Sequence, residues 1–332
     1  MRTAFIQSLT ELAAQDPRIT LVVGDLGFGV VTDFAKRFPK QYLNAGVAEQ
    51  NMTGLAAGMA MAGRIVFTYS IANFPTLRCL EQLRNDVCYH NANVVVVAVG
   101  GGFSYGALGM SHHACEDIAI LRSLPRMTVV APGDPVEAKE ATRAAAAGIG
   151  PVYLRLGRAG EPLVHEKPIA WTLGKALTVR QGDDATLIST GAMLHTAVRA
   201  ADVLAADGLS VGVLSMHTVK PLDEEAILET ARRTRCVVTL EEHSLLGGLG
   251  SAVAEVLCEA GIRDVAFKRI GLPSEFSKHV GEQEYLRKIH GLDVDSVVRC
   301  VRRLGKKDPP LLQYGGEDRP IIDRKTPTAK IA

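Results

Sequence analysis

The sequence has almost no excess of charge of either sign and no long apolar run. Its 332 residues include 37 Lys and Arg against 36 Asp and Glu, a net charge of +1. Such a balance offers no electrostatic attraction for nucleic acid or for an anionic membrane surface. No apolar run approaches the roughly 20 residues that cross a bilayer, and the N-terminus lacks the apolar core of a signal peptide. We therefore expect neither a nucleic-acid partner nor a membrane partner.

The sequence also lacks paired cysteines. Its six cysteines are scattered without the CxxC spacing that is typical of zinc sites and redox motifs. Scattered thiols in a chain of this length indicate a reduced compartment rather than a disulfide framework. We expect a cytoplasmic enzyme or enzyme subunit with no metal site of its own.

What the sequence does contain is a regular alternation of short β-branched runs with longer helical stretches. Val94–Val99 holds five valines and one alanine, a composition typical of a central parallel strand covered on both faces. Similar runs separated by helices imply βαβ units. The predicted fold class is α/β, with two consecutive open domains whose sheets are mainly parallel.

A segment with two prolines and mixed charge divides this alternation into two series. We expect a first domain at residues 1–160, a linker at 161–179 and a second domain at 180–304. Residues 305–332 are rich in proline and charge and lack a sustained apolar period. They are predicted to form an extended or disordered tail.

Open α/β sheets bind ligands beyond the carboxyl ends of their strands. Four segments of the first domain occupy such places: Gly24–Gly29, Asn44–Asn51, Tyr69–Arg78 and Gly100–His113. The first of them is rich in glycine but follows neither the GxGxxG nor the GxxxxGK[ST] pattern. Because the second domain offers only one such segment, we expect the chemistry in the first domain.

Two titratable residues in these segments have two interpretations each. Glu49 begins a helix made mostly of Ala, Gly, Met and Leu. It either complements the helix dipole or is a buried carboxylate that needs a partner for its charge or proton. His112 follows a loop with five glycines. It is either a cap or surface group at a helix start, or a proton donor or acceptor that faces a pocket.

Several short motifs, taken in order, resemble the C-terminal half of transketolase and its thiamine-diphosphate relatives. They are Gly46–Met52, Ile71–Phe74, Glu81–Asn85, Ser111–His113, Val129–Pro132, Gly150–Arg158, Glu241–His243 and Gly247–Gly250. The resemblance covers about residues 1–304. It implies a pyrimidine-binding domain at 1–160 and a transketolase C-terminal domain at 180–304.

The resemblance implies roles for four residues around the cofactor, thiamine diphosphate. Glu49 matches the catalytic carboxyl that shares a proton with the aminopyrimidine, so that the cofactor can act as nucleophile and electron sink. Phe74 matches the aromatic residue that stacks on the pyrimidine, and Asp25 falls near an acid that faces the cofactor. Ile71 stands where relatives often carry a second aromatic residue.

The resemblance also implies a set of substrate-binding residues. His112 matches a histidine that orients the substrate oxygen and moves protons, and His113 stands beside it. Arg158, Arg155 and Arg2 match positions that anchor an anion, and a guanidinium group suits a phosphate or carboxylate.

The sequence departs from the family pattern at two substrate positions. Full-length transketolases usually carry a histidine near the position of Gly100 that contacts substrate phosphate, and an acidic residue near Leu108 that contacts a sugar hydroxyl. Because this chain has neither, a modified sugar or a small 2-oxo acid donor stays open beside a standard pentose phosphate.

A larger departure concerns the diphosphate. In this family a Gly-Asp-Gly, followed later by Asn, binds the diphosphate and its divalent metal through oxygen ligands, and this sequence contains no Gly-Asp-Gly. The chain therefore resembles one half of a split enzyme. We expect a separate alpha subunit to hold the diphosphate and the Mg²⁺ or Ca²⁺, in an α2β2 assembly.

The expected function is that of the smaller, beta subunit of a two-component transketolase, which transfers a two-carbon ketol unit between sugars or modified sugars. Two alternatives stay open. One is an E1-beta-like or acyloin-forming subunit that uses a 2-oxo acid donor, and the other is a non-catalytic assembly subunit. The presence of Glu49, Phe74 and His112 together argues against the second alternative.

Overall fold

A computed structural model of the chain describes residues 1–234 and 236–305. The predicted tail, apart from Gly305, lies outside these residues. Within them the chain forms two open, mainly parallel β-sheets with helices on both faces, which confirms the predicted fold class. No helix in this part of the chain is long and apolar enough to cross a membrane.

The strands and helices follow one another along the described chain in near-regular alternation. The strands are β1 (Ile19–Val23), β2 (Tyr42–Asn44), β3 (Ile65–Ile71), β4 (Val94–Val99), β5 (Thr128–Val130), β6 (Val152–Leu156), β7 (Leu177–Arg180), β8 (Ala185–Ser189), β9 (Val211–Ser215), β10 (Thr218–Lys220), β11 (Cys236–Ser244) and β12 (Ala266–Leu272). The α-helices are α1 (Arg2–Gln15), α2 (Thr32–Arg37), α3 (Glu49–Met61), α4 (Leu80–Gln82), α5 (Asp117–Ser123), α6 (Pro135–Ala147), α7 (Met193–Ala206), α8 (Glu224–Thr234), α9 (Leu249–Glu259), α10 (Gln283–Ile289) and α11 (Val294–Gly305).

The first sheet has seven strands in the order β10-β5-β6-β4-β3-β1-β2, and all but β10 run parallel. The valine strand β4 lies at its centre and is buried along its whole length. Its alternate residues face opposite sides of the sheet. Val95 and Val97 pack with α1 and α6, whereas Val94 and Val96 pack with α3 and α5. Burial on both faces explains why this strand is an uninterrupted apolar run.

The second sheet has five strands in the order β12-β11-β8-β9-β7, and only β7 runs antiparallel. Helices α7 and α11 cover one face, and helices α8 and α9 cover the other. The two sheets thus have separate apolar cores on each face, as expected for two consecutive open α/β units.

Three short strands depart from the sequence prediction. Strands β2 and β10 contain three residues each, too few to show a periodic apolar pattern. Strand β10 pairs with β5, so a strand from the predicted second domain completes the first sheet. Strand β7 begins at Leu177, inside the predicted linker.

Candidate active site

The predicted site residues gather at the carboxyl edge of the first sheet. Asp25 follows β1, and the segment Ile71–Phe74 begins at the last residue of β3. The glycine loop, defined as Gly100–His113, follows β4, and Arg158 follows β6. Glu49 begins α3, on the crossover from β2 to β3. Because parallel strands end at the same edge, segments distant in sequence become neighbours in space.

Glu49 is a buried carboxylate with a cationic partner. Its side chain is 1% exposed, and Oε2 accepts a hydrogen bond of 2.8 Å from Nη1 of Arg78. The hydroxyl of Ser70 donates a longer bond of 3.4 Å to Oε1. The first turn of α3 adds the favourable end of the helix dipole. The structure therefore favours the second interpretation, a buried carboxylate whose charge is compensated.

Arg78 connects this carboxylate to Phe74. Its guanidinium carbon lies 4.6 Å from the centroid of the half-buried Phe74 ring, close enough for a cation–π contact. The backbone N–H of Phe74 donates to the carbonyl of Ile71 at 2.8 Å, which turns the chain back after β3. Sequence reasoning missed Arg78, because an arginine 29 residues from Glu49 shows nothing in the sequence that separates it from a solvated surface residue.

His112 is the next residue that contacts Phe74. The two rings meet edge to face with centroids 5.4 Å apart. Nδ1 of His112 is 3.0 Å from the hydroxyl of Ser111. Burial lowers the pKa of His112, and the neighbouring His113 lowers it further. Near neutral pH the ring is therefore mainly the neutral imidazole, which can both accept and donate a proton.

The side chain of His113 makes its contacts within the glycine loop, and the prediction that it binds substrate stays a prediction. Its side chain is buried, and Nε2 lies 3.1 Å from the carbonyl oxygen of Gly106. Its ring packs edge-on against Phe103. The amide of Asn73 donates to the carbonyl of His113 at 2.7 Å. Consecutive side chains point in different directions here. The His113 side chain therefore packs inside the glycine loop and stabilises it.

Arg155 is paired within the protein, and its predicted role as an anion anchor stays a prediction. Its side chain is 6% exposed, and Nε forms a 2.7 Å ion pair with the fully buried Asp117. Nη2 donates to the carbonyls of Ala114 and Glu242. This guanidinium is committed to groups within the protein, and burial of Arg155 without Asp117 would leave an uncompensated charge. Arg155 thus connects the two halves of the chain through Asp117 and the carbonyl of Glu242.

Arg158 and Arg2 are the predicted anion anchors that remain near the site. Arg158 is exposed, and its guanidinium carbon lies 5.9 Å from the centroid of the Tyr105 ring. Arg2 lies beside Tyr69, whose pKa burial raises to about 12 despite the opposing charge of Arg2. Nε of Arg2 is buried and makes no hydrogen bond within the described chain. Both guanidinium groups thus keep unused donors.

Asp25 lies beyond β1 in a left-handed backbone conformation with φ of 55°, which is uncommon for a residue other than glycine. Its Oδ1 accepts a 2.9 Å hydrogen bond from the amide of Asn44, and its backbone N–H donates to Asn44 Oδ1. The side chain is partly exposed. The prediction that Asp25 faces a cofactor stays a prediction.

The contacts described above form one continuous series along the edge of the sheet. A buried carboxylate stands at one end, an exposed guanidinium at the other, and aromatic rings with one imidazole between them. The series runs Glu49, Arg78, Phe74, His112, Tyr105, Arg158. It can present a buried carboxylate at one end, offer an aromatic face, move a proton at the imidazole and bind an anion at the far end.

Comparison with known proteins agrees with this arrangement. The family model of the transketolase pyrimidine-binding domain matches residues 1–160, and that of the transketolase C-terminal domain matches residues 174–297. The transketolase family consists of transferases that depend on thiamine diphosphate.

Individual proteins are similar over almost the whole chain. An apulose-4-phosphate transketolase subunit of Phocaeicola vulgatus is 39% identical over 308 residues, which is 92% of this chain and 97% of that protein. The 6-deoxy-6-sulfo-D-fructose transketolase subunit SqwH of a Clostridium species is 38% identical over 308 residues, 92% of this chain and 95% of that protein. A solved split-gene transketolase, described as an inactive beta4 tetramer, is 38% identical with a TM-score of 0.82, and the match covers 91% of this chain and 97% of that one.

These matches confirm the resemblance found in the sequence motifs. They extend through both sheets, and the similar subunits have nearly the same length as this chain. The chain belongs to the transketolase family, as the C-terminal section of a split transketolase.

Proposed function

We propose that this chain is the beta subunit of a two-component enzyme that transfers a two-carbon ketol unit between sugars or modified sugars. The observation that carries the proposal is the buried carboxylate of Glu49, linked through Arg78 and Phe74 to His112. A buried carboxylate is retained at a cost in desolvation, and it lies at the edge of the sheet where ligands bind.

The residues of this site suit the pyrimidine end of thiamine diphosphate. The bound cofactor supplies a carbon nucleophile and an electron sink, chemistry that amino-acid side chains lack. Glu49 would share a proton with a ring nitrogen, since its carboxyl is shielded from water. Phe74 offers a half-buried face for stacking, with Ile71 beside it, and Asp25 would lie toward the same cofactor. His112 would orient a substrate oxygen and move a proton at that atom.

The diphosphate end of the cofactor needs binding groups, which we assign to a partner subunit. We infer that a separate alpha subunit holds the diphosphate and its Mg²⁺ or Ca²⁺, in an α2β2 assembly. Within the described residues, no group of three or more His, Cys, Asp and Glu side chains is placed to hold a metal ion. The similar solved protein, a beta4 tetramer, is described as inactive, which supports the need for a partner.

Helix α3 is suited to such an assembly. Its outward face carries Gly54, Leu55, Gly58 and Met61, and Val47 before it is 75% exposed. A Cβ at either glycine would meet no atom within 4 Å, so that another chain could approach the helix closely. In this assembly residues 1–160 would act as the pyrimidine-binding domain, and residues 180–304 as the C-terminal domain joined by the 161–179 linker.

The substrate proposal rests on Arg158 and Arg2, which would anchor the anionic end of a sugar. Two similar proteins are named for a phosphorylated sugar and a sulfonated sugar, which supports an anionic substrate. A 2-oxo acid donor is the competing possibility.

The test combines the purified chain with its partner, thiamine diphosphate and Mg²⁺, and measures ketol transfer from ketose phosphates and turnover of pyruvate. We expect ketol transfer by the pair and none by either chain alone. Glu49→Gln should abolish transfer while circular dichroism stays that of the wild type, because the amide keeps the shape but cannot exchange the proton. Turnover of pyruvate only, or a fully active Glu49→Gln variant, would contradict the proposal.

A further inference from the structure

Tyr105 occupies space that a side chain at position 100 would otherwise fill. Gly100 follows the last residue of β4 with φ of 96°. A Cβ built there would lie 2.3 Å from both Cδ2 and Cε2 of the Tyr105 ring. The ring therefore lies directly against the backbone of Gly100, and it can do so only because that residue is glycine.

The surroundings of the Tyr105 ring are the polar groups of the substrate end of the site. Arg158 lies over its face at 5.9 Å, and the His112 ring meets it edge to face at 6.4 Å. Burial raises the pKa of the nearby Tyr69 to about 12; the charge of Arg2 lowers it and Tyr105 raises it. Tyr105 is half-buried, and within residues 1–234 and 236–305 its own hydroxyl makes no hydrogen bond. The phenol of Tyr105 thus stands beside the imidazole of His112 and the guanidinium of Arg158.

This position has a chemical consequence. A phenol hydroxyl donates a strong hydrogen bond to an anionic oxygen. The cation–π contact holds the guanidinium of Arg158 near the ring, so that one anion could accept from both groups. With glycine at position 100, the ring of Tyr105 fills this space, and its hydroxyl offers a neutral donor.

We propose that Tyr105 is a specificity-determining residue, which donates its hydroxyl to the anionic group of the sugar that Arg158 anchors. A phosphate and a sulfonate share this chemistry, since both present anionic oxygens. The proposal rests on the proposed ketol transfer, and it adds the residue that selects charged over uncharged sugars.

The test measures kcat/KM of the reconstituted pair for three acceptors that differ only at their terminal carbon: an aldose phosphate, the matching sulfonate and the uncharged aldose. For Tyr105→Phe, we expect the ratio of charged to uncharged kcat/KM to fall about tenfold, because one hydrogen bond to an anion is lost. Gly100→Ala should produce a similar fall, because its methyl group displaces the ring. Tyr89→Phe, which alters an exposed tyrosine outside the contact series, is the matched control.

The outcomes separate the two proposals. If the wild-type pair transfers ketol units to none of the sugars, the proposed function fails irrespective of Tyr105. If the wild type is active and Tyr105→Phe keeps the wild-type ratio, the role of Tyr105 is overturned. A ratio that falls for the phosphate alone, or for the sulfonate alone, supports the role and identifies the anion. Thermal unfolding midpoints equal to the wild-type value show that the variants are folded.

Discussion

The negative charge of the Glu49 side chain is compensated chiefly by one neighbour, Arg78. A buried carboxylate loses its hydration free energy. A 2.8 Å charge-assisted hydrogen bond from Arg78 compensates part of this loss. The Arg78 side chain is 48% exposed, so water screens the ion pair. The pair therefore contributes less to the free energy of unfolding than a fully buried ion pair would. Substitutions at Glu49 and Arg78 therefore measure how much this ion pair stabilises the site.

We predict that Arg78→Met lowers the free energy of unfolding by about 1–2 kcal/mol, since it leaves a buried carboxylate unpaired. In the double variant with Glu49→Gln the loss should be smaller than the sum of the single losses, because the amide carries no charge. Urea unfolding of the four proteins gives the coupling energy. Arg84→Met is the control, because within the described residues the Arg84 side chain bonds to the exposed Asn85 alone. Strict additivity would contradict the pairing of Arg78 with Glu49.

At this scale the motifs predicted Glu49, Phe74 and His112 as neighbours, and the structure brings them into one series of contacts. Their catalytic roles remain proposals. The structure pairs Arg155 and His113 with groups inside the protein, which the sequence could not predict, because sequence spacing does not reveal which side of a loop or strand faces inward. An arginine near the end of a strand can serve either as an anchor for substrate or as part of a buried ion pair.

At the scale of elements, the glycine loop is held in place by the second half of the chain. Glu242, at the carboxyl end of β11, accepts a 2.6 Å hydrogen bond from the backbone N–H of Phe103. The same carboxylate accepts from Gln283 at 2.9 Å and from Nε of Arg287 at 2.8 Å. A Cβ at Gly102 would lie 2.7 Å from it. Glu242 is thus a positioning residue for the loop that carries His112.

We predict that Glu242→Gln raises KM for the sugar about tenfold and lowers kcat less, because the loop loses its fixed position while the reacting groups remain. The Glu242 carboxylate accepts hydrogen bonds at two oxygens, whereas a glutamine side chain has only one oxygen. Either the N–H of Phe103 or the guanidinium of Arg287 therefore loses its acceptor. Hydrogen exchange of the glycine loop should accelerate. Glu284→Gln, which removes the exposed partner of Arg287, is the control, and an unchanged KM would contradict the role.

Several elements were predictable from sequence, whereas the three-residue strands β2 and β10 were not. Strands β4, β8 and β9 and helix α6 have the bounds that their apolar runs and alanine content predict. The stretch Leu77–Tyr89 predicts one helix, and the structure has a 3₁₀ turn, the short α4 and a π-helical segment in succession. The apolar spacing of a sequence does not distinguish these closely related helices.

At the scale of the whole molecule, the two halves are joined by more than the linker. Strand β10 is part of the first sheet, and Arg155 bonds to Asp117 on one side and to the carbonyl of Glu242 on the other. The apolar period of a sequence identifies helices and strands. It cannot show these connections between the two halves, because they depend on contacts between residues far apart in the chain. The halves are therefore expected to unfold together.

A buried histidine lies where the linker meets both halves. His217 is fully buried, its ring stacks on Trp171 at 4.4 Å, and Nδ1 lies 2.9 Å from the hydroxyl of Thr218. Burial lowers the pKa of His217 to about 4, although the carboxylate of Glu137 opposes the shift. Burial also lowers the pKa of His165, but the hydrogen bond to Glu137 together with the charges of Glu137 and Asp134 outweighs burial, and the pKa is raised.

These shifts determine how stability depends on pH. The pKa of His217 is about 4 in the folded protein against roughly 6.5 in the unfolded chain, so its contribution is present above pH 6.5 and is lost as the pH falls toward 4. By linkage this removes about 2 kcal/mol between pH 7.5 and pH 5. His165 acts in the opposite direction, since its raised pKa stabilises the folded state below pH 6.5.

We predict that His217→Gln reduces the loss of stability between pH 7.5 and pH 5 by about 2 kcal/mol relative to wild type, because glutamine does not titrate. Urea unfolding at the two pH values measures the difference. His90→Gln, which replaces an exposed histidine, should follow the wild-type pH dependence. If His217→Gln and wild type lose equal stability, then His217 is protonated in the folded state, and its burial beside Trp171 does not keep the ring neutral.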